Sequence, residues 1–144
     1  MSENKQKVAI VPCSGIGKSF GTVGREAAYE LCENLRPDDT QLVALSKLVL
    51  GDDDARQIVD RSPTITIDGC KMMCAAKMVK QSGGSIAREA TVFDAFRRHR
   101  NLKPEGIAEL NEAGRKLARV LAEEIADSIA EINKAEAVKG GRHD

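Results

Sequence analysis

The sequence predicts an α/β fold. Short apolar runs rich in β-branched residues alternate with segments whose apolar residues recur at helical spacing. The two clearest runs, Lys7-Val8-Ala9-Ile10-Val11-Pro12 and Thr64-Ile65-Thr66-Ile67-Asp68, each lead within two residues to a cysteine, Cys13 and Cys70. Beyond Pro104 the pattern changes to purely helical. The chain of 144 residues fits one domain and is long enough to bury a core without disulfide staples.

The elements follow in order. Strand one is expected at about Val8 to Val11, followed by a loop carrying Gly15, Gly17 and Gly21. A helix to about Leu35 aligns Val23, Ala27, Ala28, Leu31 and Leu35 on one stripe. Pro37-Asp38-Asp39 reads as a turn, and Leu42 to Leu45 as a second short strand. Asp52, Asp53 and Asp54 suit the start of a helix running to Asp60. Thr64 to Ile67 is the third strand, β-branched throughout. Lys71 to Gln81 is expected as a helix closed by Gly83-Gly84, and Ile86 to Val92 as a weaker fourth strand. Such alternation gives a small three-layer, Rossmann/flavodoxin-like domain. Its sheet is four-stranded and mostly parallel, and a C-terminal helical extension follows.

Residues 7–95 form the expected α/β part, 96–138 a helical extension of the same domain, and 1–6 and 139–144 flexible termini. Ile107, Leu110, Leu117, Leu121, Ile125, Ile129 and Ile132 recur at spacings suited to a helix from Pro104 to Ala137, with Gly114 as a point of interruption. Unbroken, it would span about 50 Å. It either packs on its own domain or pairs in part with a second subunit or another protein.

Composition narrows the function. The 22 basic and 22 acidic residues balance, so no field favours nucleic acid or an anionic membrane. One tyrosine, three phenylalanines and no tryptophan make a poor stacking platform for nucleic acid. No apolar stretch has the length of a membrane span, and the polar start, Met1 to Lys7, does not resemble a signal peptide. The expected location is the cytoplasm, where cysteines more often bind metal or catalyse than form disulfides.

If the first and third strands are parallel neighbours, their carboxyl ends share the edge at which ligands sit in open α/β sheets. Cys13, Cys70 and Cys74 would then meet there. Cys70 and Cys74, four apart at the entry to the expected helix, would share a helical face. A helix N-terminus favours thiolate, the form that binds metal or attacks an electrophile, and Lys71 and Lys77 add positive charge. Cys32 lies about 18 Å along the first helix, towards the opposite edge, and reads as a buried packing residue; it is kept only as an additional ligand candidate. Asp68 is a second, as an oxygen donor. His99, within Arg97-Arg98-His99-Arg100, and His143 in the tail are remote candidates.

Asp68-Gly69-Cys70 with Cys74 and Ala75, and Cys13-Ser14-Gly15 before the helix through Ala27-Ala28-Tyr29-Glu30-Leu31, resemble the DGC-domain family over roughly residues 7 to 95. The resemblance implies a cysteine-held metal, taken to be zinc, in a protein of poorly defined function. The family's further cysteine near the end of the second strand has no counterpart in Leu42-Val43-Ala44-Leu45-Ser46-Lys47. Three thiolates completed by water, an exogenous ligand or another side chain fit this chain better.

Other readings stay open. Thiolates suit an iron–sulfur cluster as well as zinc. A thiol enzyme or sulfur carrier would use Cys70 or Cys74 as nucleophile and Cys13 as resolving partner. No general base stands out near the cysteines except Asp68, so no catalytic residue is assigned. Pro12-Cys13-Ser14-Gly15-Ile16-Gly17-Lys18-Ser19 imitates a phosphate loop in its tail, Gly17, Lys18 and Ser19, but proline stands where that motif needs glycine. A small anion or a nucleotide phosphate at this helix start is the minor alternative.

Overall fold

The structure is a computed structural model that describes residues 7–13, 19–69, 72–106 and 109–141, with 136–141 described by backbone alone. Strand β1 (Val8–Pro12) is followed in the chain by α1 (Ser19–Glu30). At Leu31–Leu35 that helix widens into a π-helical turn, in which the Arg36 amide reaches back to the Leu31 carbonyl at 2.8 Å. Then come β2 (Thr40–Leu42), α2 (Leu45–Leu50), α3 (Asp53–Arg61), β3 (Thr64–Asp68), α4 (Cys74–Gln81), β4 (Ile86–Thr91), α5 (Val92–Arg98) and α6 (Glu112–Gly141).

The sheet order is β2-β1-β3-β4 and every pairing is parallel. Ala9 pairs with Thr64 and Pro12 with Ile67, so the two central strands end side by side. Alternation along them divides the core. Val8, Ile10, Ile65 and Ile67 face α1, α5 and α6, whereas Ala9 and Val11 face α2, α3 and α4. Strands covered on both faces read as near-continuous apolar runs, which is why β1 and β3 are the easiest to see in the sequence. The architecture is the expected three-layer α/β domain.

Several elements differ from expectation for identifiable reasons. The second strand is Thr40–Leu42 rather than Leu42 to Leu45. Val43, Leu45 and Leu48 instead turn into the core below the sheet, and the last two lie on α2. That short helix ends at Gly51, whose φ of 77° is the left-handed conformation glycine adopts at little cost. Asp52 then accepts the Ala55 amide at 2.9 Å and starts α3. The sequence from Val92 to Arg98, where the fourth strand was expected to end and the helical extension to begin, is α5, capped by the Thr91 hydroxyl on the Asp94 amide at 3.0 Å.

The helix expected from Pro104 begins only at Glu112. Asn111 explains the stop. Its side-chain oxygen accepts the amides of Gly114 at 2.8 Å and Glu105 at 3.0 Å, and its nitrogen donates to the Lys103 carbonyl at 3.2 Å. One residue thus caps α6 and ties down the extended segment before it. Gly114 does not interrupt the helix; it is buried in the first turn. The stripe Leu117, Ala118, Leu121, Ala122, Ile125, Ala126 and Ile129 is buried in the core shared with α1 and α5.

A polar latch fastens α6 to the far edge of the sheet. Arg98 donates to Glu124 Oε1 at 2.6 Å, and His99 Nε2 lies 3.3 Å from Oε2. Arg88 on β4 donates to the Glu124 carbonyl at 3.2 Å and to the Ser128 hydroxyl. Desolvation pushes the Glu124 carboxyl up, but Arg98 and His99 outweigh it and hold it below the ordinary glutamate range. His99, a remote ligand candidate in the sequence, is thus engaged by α6.

Candidate metal site

Three chain segments converge at the carboxyl ends of β1 and β3. The Cys13 amide donates to the Ile67 carbonyl at 2.8 Å, so the backbone of Cys13 runs beside the Asp68 end of β3. Cys13 is half-buried and packs partly against the core beneath α2, α3 and α4. Gly69 follows, and its missing side chain is a packing requirement. A Cβ there would lie 3.1 Å from the Gly21 nitrogen and 3.2 Å from the Phe20 carbonyl carbon. The first turn of α1 therefore presses against the turn that leaves β3. The Phe20 ring meets Phe96 edge-on at 5.7 Å, and the Ser19 hydroxyl donates to the Pro104 carbonyl at 3.5 Å.

Asp68 is fully buried. On β3 it shares the face of Thr64 and Thr66, opposite Ile65 and Ile67, and so points under α4. Its two carboxylate oxygens accept the amides of Ala75 at 2.7 Å and Ala76 at 3.2 Å. Those are the second and third residues of α4, the donors that a residue directly before a helix normally caps. That position is held by Met73, which has no capping side-chain bond and sits at φ 55°, a left-handed conformation that costs a non-glycine residue about 1–2 kcal/mol. Burial pushes the Asp68 carboxyl above the ordinary aspartate range. The two amides and Lys77 oppose that shift, and Glu89 adds to it.

The helix expected over 71–81 starts at Cys74. Cys74 is thus the first residue of α4, and its expected helical-face relation to Cys70 falls on a residue outside the described ones. Cys74 is exposed at this first position. Cys70, Lys71, Gly17, Lys18 and His143 lie outside the described residues. Among the described residues no group of three or more His, Cys, Asp or Glu is gathered as a metal set. Cys32 lies in the π-helical turn, packed against the core of α1 and α6. Burial raises its thiol above the ordinary cysteine range, and a hydrogen bond with Thr40 opposes the shift. Thr40 opens β2, so Cys32 sits by the amino edge of the sheet, opposite Cys13.

Sequence reasoning missed two parts of this corner. The capping role of Asp68 was hidden because the helix it caps begins six residues later, beyond the reach of local capping patterns. The contact of Gly69 with Gly21 joins segments far apart in the chain, and glycine in both positions was its only signal.

Among the described residues no helix is long and apolar enough to cross a membrane. No curated protein and no solved structure matches the chain. The model of the DGC domain matches residues 9–114, a span that runs from β1 into the start of α6 and takes in Cys13, Asp68, Gly69, Cys70 and Cys74; the chain belongs to the DGC-domain family.

Proposed function

We propose that this protein binds zinc through the thiolates of Cys13, Cys70 and Cys74 at the carboxyl edge of its parallel sheet. The observation that carries the reading is the hydrogen bond from the Cys13 amide to Ile67. It sets Cys13 beside a strand end that lies two residues before Cys70 and is tied by Asp68 to the helix of Cys74. The donor set fits the ion, since thiolate sulfur is the preferred protein ligand of structural zinc. The Ala75 and Ala76 amides of α4 are taken by Asp68; the phosphate alternative concerns the start of α1, where Gly17 and Lys18 lie outside the described residues.

Three cysteine ligands leave one position for water, an exogenous ligand or a further side chain. Bound there, zinc would act as a Lewis acid. Cys13 directly follows β1 and Cys74 opens α4; Cys70 lies between Asp68 and Cys74 in sequence.

The test is the metal content of the full chain prepared without added metal under anaerobic conditions. The expected result is about one zinc per chain, lost in Cys70→Ser and Cys74→Ser and retained in Cys32→Ala. A chain that carries no zinc and takes none up overturns the reading, and iron with acid-labile sulfide replaces it with a cluster.

A further inference from the structure

We infer that Asp68 is a positioning residue of the cysteine site rather than one of its ligands, an inference that rests on the zinc reading above. The carboxylate is fully buried, lies on the sheet face covered by α4, and spends one oxygen on each of the Ala75 and Ala76 amides. To reach an ion beyond the strand end it would have to turn out from under α4 and leave two amides without a partner. Those bonds have a direct consequence for the thiols. The carboxylate holds the first turn of α4, and with it Cys74, against the end of β3, and Cys70 lies between these two points in sequence. Two other features make this attachment specific. Gly69 is held against the backbone of Phe20 and Gly21, and Met73 is held left-handed with its carbonyl accepting the Lys77 amide at 2.9 Å. Met73 supplies no cap, and Asp68 does its work from the neighbouring strand. In metal sites, partners that orient the ligands typically change affinity by about ten- to a hundredfold when replaced.

The experiment adds cobalt(II) to metal-stripped full-length protein and compares wild type with Asp68→Asn, under conditions where both are folded. The expected result is an unchanged ligand-field band envelope and sulfur-to-cobalt charge-transfer intensity, with cobalt binding weaker by about ten- to a hundredfold. A changed envelope makes Asp68 a ligand and overturns the assignment. Unchanged affinity makes it a fold-stabilising cap only, and overturns it equally. Wild-type protein that takes up no cobalt removes the metal reading itself, and this inference with it. A second measurement needs no variant. The Ala75 and Ala76 amides should stay protected from hydrogen exchange before and after zinc is added to wild type. Loss of that protection on loading would mean that the carboxylate leaves the helix for the ion.

Discussion

Replacing Gly69 by alanine tests whether the corner of the sheet is as tightly closed as it is drawn. The added Cβ would lie 3.1 Å from the Gly21 nitrogen, 3.2 Å from the Phe20 carbonyl carbon and 3.3 Å from the Gly21 Cα. Favourable contacts of carbon fall at about 3.5–4.0 Å, so α1 must retreat from β3 by several tenths of an ångström. All three obstructing atoms are backbone, and the helix that would have to move is packed against α6 on its other side. Overpacking of this kind costs about 1–3 kcal/mol. Alanine also restricts the unfolded chain, which returns about 0.4–1 kcal/mol. The net expectation is a loss of about 1–2 kcal/mol, or roughly 4–8 °C in Tm at about 4 °C per kcal/mol for a domain of this size. Urea unfolding should show a lower midpoint at unchanged slope. Gly24→Ala is the internal control. Its Cβ would meet side-chain methyls of Ile67 and Val92 at 3.4 and 3.5 Å, and alanine is the better helix former, so that variant should be neutral or more stable. A Gly69→Ala protein as stable as wild type would refute the close approach of α1 to the β3 turn.

Leu121, 1% exposed in the stripe of α6, should cost about 2–5 kcal/mol on truncation to alanine, read by urea unfolding at a single protein concentration and its tenfold dilution. A loss that instead tracks concentration would mean that this stripe joins two chains. Asn111→Ala should cost about 1 kcal/mol in the same assay, because the α6 cap and the hold on residues 103–105 go together. Glu124 has a lowered folded-state pKa, so the unfolded chain binds its proton more readily and stability from this group rises with pH. That contribution is complete above the ordinary glutamate value of about 4.5 and disappears as pH falls through the lowered one. Glu124→Gln should therefore flatten this part of the acid limb, by less than about 1 kcal/mol for a partly solvated group. An acid limb identical to that of wild type would contradict the latch.

How far the fold could be read from the sequence depended on where its signals are local. Val8–Val11 and Thr64–Ile67 announced themselves because a strand buried on both faces must be apolar or β-branched throughout. Leu42-Val43-Ala44-Leu45 did not, because a run of four apolar residues fits a strand, a connection or the start of a helix equally well. α5 was obscured by the charges Arg97 and Arg98 on its outer face, although Val92, Ala95 and Phe96 have helical spacing. The late start of α6 follows from Asn111, whose hydrogen bonds run to Lys103 and Glu105 as well as into the helix. Cys13 follows the carboxyl end of β1 as the strand pattern placed it. The helix expected over 71–81 starts only at Cys74, where Asp68 supplies its cap from the preceding strand.

X-ray absorption at the zinc edge of the wild-type protein counts the thiolates on the ion. Three sulfur neighbours at about 2.3 Å and one lighter atom at about 2.0–2.2 Å are expected. A shell of nitrogen and oxygen without sulfur, or four sulfurs, would contradict the three-thiolate site.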